Sequence, residues 1–175
     1  TITSMILHVL KKLGRDFDYL VGAQIEGFDT MVRLSDAPVI ILEGDEYLSS
    51  PIDRRPKFHL YDPHIALLSG IAWDHINVFP TFENYLEQFE IFLDRMMDNG
   101  VLAFCVADEQ LDETVHEYGQ HLDQRPYQTP DYVVENGMTY ILRGDEKIAV
   151  HVFGEHNLQN LMGAMEVCLA LGVEE

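Results

Sequence analysis

Apolar runs that stop at small polar islands alternate along this chain with stretches whose apolar residues recur at helical spacing. Ile2, Met5, Ile6, Val9, Leu10 and Leu13 recur every three or four positions, which predicts an amphipathic helix with Gly14 as its C-terminal cap. A short strand is expected over residues 19–23. Val39-Ile40-Ile41-Leu42 is the first strong strand, and it stops at Glu43-Gly44-Asp45-Glu46. Residues 47–57 hold two prolines and the basic residues Arg54, Arg55 and Lys57, so they read as loop with one helical turn. Ile65-Ala66-Leu67-Leu68 is the second strong strand and leads through Ser69-Gly70-Ile71-Ala72-Trp73 to Asp74-His75. Pro80-Thr81 introduces a helix with the apolar face Phe82, Tyr85, Leu86, Phe89, Leu93, Met96 and Met97, closed by Asp98-Asn99-Gly100. Residues 101–106 form a third buried strand, and residues 108–122 a polar, surface-like helix.

Beyond Pro126 the pattern changes. Residues 132–134, 138–142 and 148–153 predict strands, joined by turns at Glu135-Asn136-Gly137 and Arg143-Gly144-Asp145. Asn-Gly and Gly-Asp are hairpin signals, so these strands are expected to be antiparallel. A last helix carries Leu158, Leu161, Met162, Met165, Cys168 and Leu169 and stops at Gly172. The order of elements predicts an α/β domain: a mostly parallel sheet flanked by helices, with an appended antiparallel β-meander, as a single domain over residues 1–175. Continuous aliphatic runs mark buried parallel strands, and in open α/β sheets ligands bind where such strands end. If Val39–Leu42, Ile65–Leu68 and Val150-His151-Val152-Phe153 are neighbours, their islands converge on one rim.

Composition narrows the chemistry. The 175 residues carry 30 acidic side chains against 11 Lys and Arg, a net charge of −19. That argues against nucleic acid as a partner, because phosphate neutralisation needs clustered cations. A polyanionic ligand could still be held by a few placed donors and a metal ion. Cys105 and Cys168 sit in separate apolar segments and read as reduced core thiols, as in a cytoplasmic protein. No apolar stretch reaches the roughly 18–20 residues of a membrane span, so no membrane partner is expected. The chain starts at Thr1 inside a helical pattern and reads as a piece of a longer protein.

Each island has two readings. Glu43, Asp45 and Glu46 offer hard oxygen ligands suited to Mg2+, or form a solvated acidic loop. Asp74-His75 either hydrogen-bonds locally or, beside Glu43, completes a carboxylate–imidazole site with positions open for phosphate oxygens. In Gly154-Glu155-His156-Asn157-Leu158-Gln159-Asn160, Asn157 is a good N-cap; alternatively the amides of Asn157 and Asn160 face a purine edge, with Gly154 permitting close approach. No Gly-rich phosphate loop occurs in the chain.

Taken in order, the three islands resemble the central domain of the Mur ligases, ATP-dependent amide-bond-forming enzymes of bacterial cell-wall precursor synthesis. Thr1-Ile2-Thr3-Ser4-Met5 resembles the helix directly after the family's Gly-Lys-Thr loop, and residues 154–160 match its Gly-x-His-Asn-x-x-Asn motif. Glu43-Gly44-Asp45-Glu46-Tyr47, Asp53-Arg54-Arg55 with Lys57-Phe58, and Asp74-His75 most resemble the branch of murein-peptide ligases. These join L-alanyl-γ-D-glutamyl-meso-diaminopimelate to UDP-N-acetylmuramate; the UDP-N-acetylmuramate–L-alanine ligases are near neighbours. The resemblance implies a P-loop NTPase-like fold, ATP and Mg2+ as cofactors, and UDP-N-acetylmuramate with a peptide or amino acid as substrates. It implies that Glu43 and His75 hold the metal and act in catalysis, and that His156, Asn157 and Asn160 meet the adenine end of ATP. Several relatives carry a carbamoylated lysine after the Asp-His pair. The corresponding position here is Glu90, either a fixed substitute carboxylate or one of the solvated face Glu83, Glu87, Glu90 and Asp94. The phosphate loop and the family's N- and C-terminal domains are not in the chain, so alone it is expected to be inactive. A folylpolyglutamate synthase-like ligase and a non-catalytic scaffold with a polar binding rim are the alternative functions; a metal-dependent hydrolase would need more ligands than the islands supply.

Overall fold

The structure is a computed structural model in which residues 1–73 and 76–174 are described. Helix α1 (Ile2–Lys12) buries Ile6, Leu7 and Leu10 and ends with Lys11 and Lys12, cations placed favourably at the negative end of the helix. Strands β1 (Asp18–Leu20), β2 (Val32–Arg33) and β3 (Ile40–Leu42) form a sheet of order β2-β1-β3. In it β1 runs parallel to β3 and antiparallel to β2. A hairpin-like loop follows, in which Leu48 bridges Pro56 and Lys57 N–H donates to the Tyr47 carbonyl at 2.9 Å. The helical turn comes just after that loop, as a 3-10 turn over Lys57–Leu60.

Strands β4 (Ile65–Leu68), β5 (Val101–Cys105) and β6 (Asp123–Tyr127) form a second sheet, parallel throughout. Between them come α2 (Phe82–Arg95) and α3 (Glu109–Tyr118). The Thr81 hydroxyl caps α2, accepting from Asn84 N–H at 3.2 Å. The ribbon β7 (Tyr132–Glu135), β8 (Met138–Arg143), β9 (Glu146–Val150) is an antiparallel meander, and α4 (Glu155–Ala170) closes the fold. Asn136 and Gly137, at φ 53° and 78°, supply the two left-handed positions of the first tight turn.

The middle sheet is covered on both faces. Phe104 meets the His116 ring of α3, with centroids 6.5 Å apart. On the other face Tyr127 and Leu67 reach α4 at Gly163. Leu102, Ala103, Phe104 and Cys105 are accordingly almost wholly buried, and α1 lies alongside α4. Among the described residues no helix is long and apolar enough to cross a membrane.

Several boundaries differ from the sequence pattern. The helix expected over 108–122 ends at Tyr118, and the polar segment Asp123–Tyr127 is a strand. Pro126 fits there because β6 is an edge strand. Asp123 and Tyr127 hydrogen-bond to the β5 side, so Pro126, one position out of phase, turns its missing donor away. Strand β9 ends at Val150, leaving Phe153 86 % exposed. The three apolar runs are not hydrogen-bonded neighbours: β3, β4 and β9 belong to three different sheets.

His59, 4 % exposed, ties the 3-10 turn to α2 through a 2.7 Å bond between Nε2 and the Gln88 carbonyl. Burial holds its pKa below the ordinary value, Arg95 and Arg55 push the same way, and the Gln88 carbonyl opposes them. The unfolded chain therefore takes up a proton near pH ~6.5 that the folded one resists. Stability from His59 is present above about pH 6.5 and is lost as pH falls through the lowered folded value. Urea midpoints taken on either side of that pH should drop on acidification, and His59→Phe should flatten the drop. A Cβ on Gly163 would lie 2.7 Å from the Tyr127 ring and 2.9 Å from Leu67 Cδ1. Gly163→Ala should thus cost about 1–3 kcal/mol by overpacking, read as a lower urea midpoint at unchanged slope.

Candidate functional site

The acidic island lies at the carboxyl end of the parallel pair β1 and β3. Glu43 N–H extends their ladder by donating to the Leu20 carbonyl at 2.9 Å. Its side chain then turns back, and Oε2 accepts from Gly22 N–H at 2.6 Å. Gly22 suits this approach, since a Cβ there would stand 3.3 Å from that oxygen. Glu43 is half-buried and makes no other side-chain hydrogen bond among the described residues. One carboxylate oxygen is therefore anchored and the other is available.

The other two carboxylates of the island are held elsewhere. Asp45 pairs with Lys57 at 2.9 Å and also accepts from Tyr47 N–H at 3.1 Å. Glu46 accepts from the hydroxyl of buried Tyr85, on α2, at 3.0 Å. Among the described residues, no group of three or more His, Cys, Asp or Glu could hold a metal ion. Asp74 and His75 lie outside the described residues. One anchored carboxylate is still a suitable hard donor for Mg2+, which binds proteins through one or two carboxylates and takes its other ligands from water and phosphates.

A further carboxylate, with two separate contacts, stands just beyond the ends of β4 and β5. Asp108 Oδ1 accepts from Leu111 N–H at 3.0 Å and so caps α3. Its Oδ2 accepts from Ile71 N–H at 2.7 Å, on the segment that continues β4. An Asp before a helical run signals the cap; nothing local signals the second contact, which spans 37 residues.

At the start of α4, Gly154 (φ 84°) is the cap residue, so Asn157 is not the N-cap that the sequence suggested. Asn157 instead donates its side-chain amide to the Phe153 carbonyl at 2.7 Å. His156 is exposed and, with Thr129, Glu155 and Gln159, lines an open depression of about 360 Å³. Asn160 is buried, at 6 % exposed, one helical turn beyond His156. Glu90 lies beside Tyr118 of α3 and raises the pKa of that phenol. It projects about 140° round α2 from Tyr85, the residue that touches the acidic island.

The chain matches the Mur ligase middle domain over residues 1–168. It is 25% identical, over 99% of its length, to the UDP-N-acetylmuramate–L-alanyl-γ-D-glutamyl-meso-2,6-diaminoheptandioate ligase of Haemophilus influenzae, of which it covers 40%. It is 27% identical, over 95% of its length, to the UDP-N-acetylmuramate–L-alanine ligase of Desulforamulus reducens, covering 37% of that protein. Among solved structures, the UDP-N-acetylmuramate:L-alanyl-γ-D-glutamyl-meso-diaminopimelate ligase of Neisseria meningitides superimposes with a TM-score of 0.81 at 21% identity, over 98% of this chain and 58% of that one. The MurF ligase of Thermotoga maritima, solved in complex with ADP, gives 0.68 at 19% identity, over 99% of this chain and 43% of that one. The chain thus spans well under half the length of these two curated relatives. With its α/β sheets, appended meander and sequence match from the first helix into the last, it belongs to the Mur ligase family, as the middle domain.

Proposed function

We propose that this chain is the ATP- and Mg2+-binding central domain of an ATP-dependent ligase that joins L-alanyl-γ-D-glutamyl-meso-diaminopimelate to UDP-N-acetylmuramate in cell-wall recycling. The carrying observation is Glu43, a carboxylate fixed by one oxygen to a backbone amide and open at the other, at the carboxyl end of paired parallel strands. The family match and the likeness to the Haemophilus influenzae ligase support the substrate class. In this reading the muramyl carboxylate attacks the γ-phosphorus of ATP and ADP leaves. The amine of the incoming peptide then attacks the acyl phosphate and displaces inorganic phosphate. Mg2+, held by Glu43 and His75, would offset repulsion between the two anions and the charge that develops in transfer.

Glu43 brings to this step a carboxylate that is already oriented, because its bond to Gly22 N–H removes one rotational choice. Asn160 offers a carboxamide, and His156 an exposed imidazole beside a depression, for the adenine end of ATP. Asn157 would fix the turn from which they project by holding the Phe153 carbonyl. Glu90 is proposed as a fixed carboxylate in place of the modified lysine of several relatives, with the Tyr118 hydroxyl beside it. The second reading is a UDP-N-acetylmuramate–L-alanine ligase, favoured by the likeness to the Desulforamulus reducens enzyme.

Coupled phosphate release on the full-length protein separates these two readings. Turnover with UDP-N-acetylmuramate and tripeptide, and none with L-alanine, is the expected result; the reverse moves the chain to the second. Glu43→Ala and His75→Ala should each abolish turnover while thermal unfolding stays unchanged, and normal turnover in both would remove the metal site. Asn160→Ala should raise KM for ATP more than KM for the sugar nucleotide; equal effects would leave Asn160 as a helix residue only. Glu90→Gln should slow turnover about 10- to 100-fold, the range for a residue that supports a metal site. An unchanged rate would return Glu90 to the helix surface.

A further inference from the structure

We propose that Asn136 is a site of spontaneous covalent modification: the Gly137 amide nitrogen attacks its carboxamide, ammonia leaves, and the resulting cyclic imide opens in water to aspartate or isoaspartate. The chain contains two Asn-Gly pairs, Asn99-Gly100 and Asn136-Gly137. In both the asparagine is left-handed, at φ 63° and 53°. Local sequence and backbone conformation therefore do not separate the two pairs; their surroundings do.

Asn99-Gly100 is clamped. Asn99 N–H donates to the His121 carbonyl at 2.9 Å, and Gly100 N–H donates to the Met97 carbonyl at 2.9 Å. The Gly100 carbonyl in turn accepts from Asp123 N–H at 2.9 Å. Gly100 is buried, and a Cβ there would lie 3.0 Å from the Met97 carbonyl oxygen. The nitrogen that would have to attack is already committed as a donor, in a backbone with no room to swing. Asn136-Gly137 is the two-residue loop between β7 and β8, where Glu135 pairs with Met138. With φ of 53° and 78° it matches a type I′ turn. In such a turn the closing hydrogen bonds belong to the flanking pair, so the central N–H groups face water. Both residues are exposed, and a Cβ on Gly137 would meet nothing within 4 Å.

Water is the only co-reactant. Base removes the Gly137 amide proton, the nitrogen bonds to Asn136 Cγ, and the Cγ–Nδ2 bond breaks as the departing nitrogen takes up a proton and leaves as ammonia. No atom is oxidised or reduced. Glycine favours the step because no side chain blocks the approach of its nitrogen. Water then adds to either imide carbonyl. Opening at the former side-chain carbonyl gives aspartate, which tolerates the left-handed region and keeps the turn. Opening at the main-chain carbonyl gives isoaspartate, in which the chain runs through Cβ and Cγ and the loop gains a backbone carbon. Loop length and turn type fix hairpin register, so only isoaspartate disturbs the β7–β8 pairing. Either product adds a carboxylate next to Glu135, whose own carboxylate holds Lys147 of β9 at 2.6 Å.

The test ages the full-length protein at mildly alkaline pH in water enriched in heavy oxygen, once folded and once in urea, and follows each Asn-Gly peptide by mass spectrometry. In the folded protein the Asn136 peptide should take up label at least about tenfold faster than the Asn99 peptide, because one attacking N–H is free and the other must first break a buried hydrogen bond. In urea the two rates should converge, which shows that the fold and not the flanking sequence sets the difference. The Asn136 product should separate into two peptides of equal mass, aspartyl and isoaspartyl. Amide hydrogen exchange at Met138 should quicken in the aged protein and stay parental in Asn136→Asp, since only isoaspartate lengthens the loop. An Asn136 peptide that stays intact in the folded protein, or that converts no faster than the Asn99 peptide there, overturns the proposal. Met138 exchange that is the same in the aged protein and in Asn136→Asp overturns its consequence for the meander.

Discussion

A strand buried on both faces has no room for polar side chains, so the polar groups of this fold gather where strands end. Leu102, Ala103, Phe104 and Cys105 lie between α3 and α4 and are almost inaccessible. Two acids among the described residues sit at carboxyl-terminal strand ends, where a backbone N–H receives each. Glu43 takes the amide of Gly22, and Asp108 takes that of Ile71. Charge-assisted bonds of this kind are short and directional, so each carboxylate leaves the backbone with a fixed bearing.

Like charge shapes the acidic island as strongly as burial shapes the sheet. Three carboxylates within four residues repel one another in a chain already at −19. The structure separates them by giving each a partner of its own: an amide, an ammonium and a phenol. That arrangement spreads a triple cluster over three different partners and leaves Oε1 of Glu43 without a hydrogen bond among the described residues. It also connects the rim to α2 through Tyr85 and to the hairpin-like loop through Lys57.

The parts of the fold that were legible in the sequence are those where packing and local pattern agree. Helices α1 and α2 and strands β3, β4 and β5 follow their apolar periodicity, and the meander follows Asn136-Gly137 and Gly144. Strands β2 and β6 escaped because neither carries a run of apolar residues. Val32 and Arg33 are both exposed, and Asp123–Tyr127 is polar and carries a proline, tolerated only at an edge. At the site, Glu43 was readable from its place after an apolar run. The partner of Asp108 was not, since a bond across 37 residues leaves no local pattern. Asn157 reads as a helix cap by residue type alone; the left-handed Gly154 takes that position and frees the amide for Phe153.

Trp73 gives its contact with Phe79 an optical signature. The chain contains one tryptophan, and its indole N–H is committed to the Phe79 carbonyl at 3.0 Å. Indole emission is sensitive to the polarity around the ring. Intrinsic fluorescence from this domain is therefore a single-site signal of whether the indole keeps its bond to the Phe79 carbonyl, with no label needed to read it.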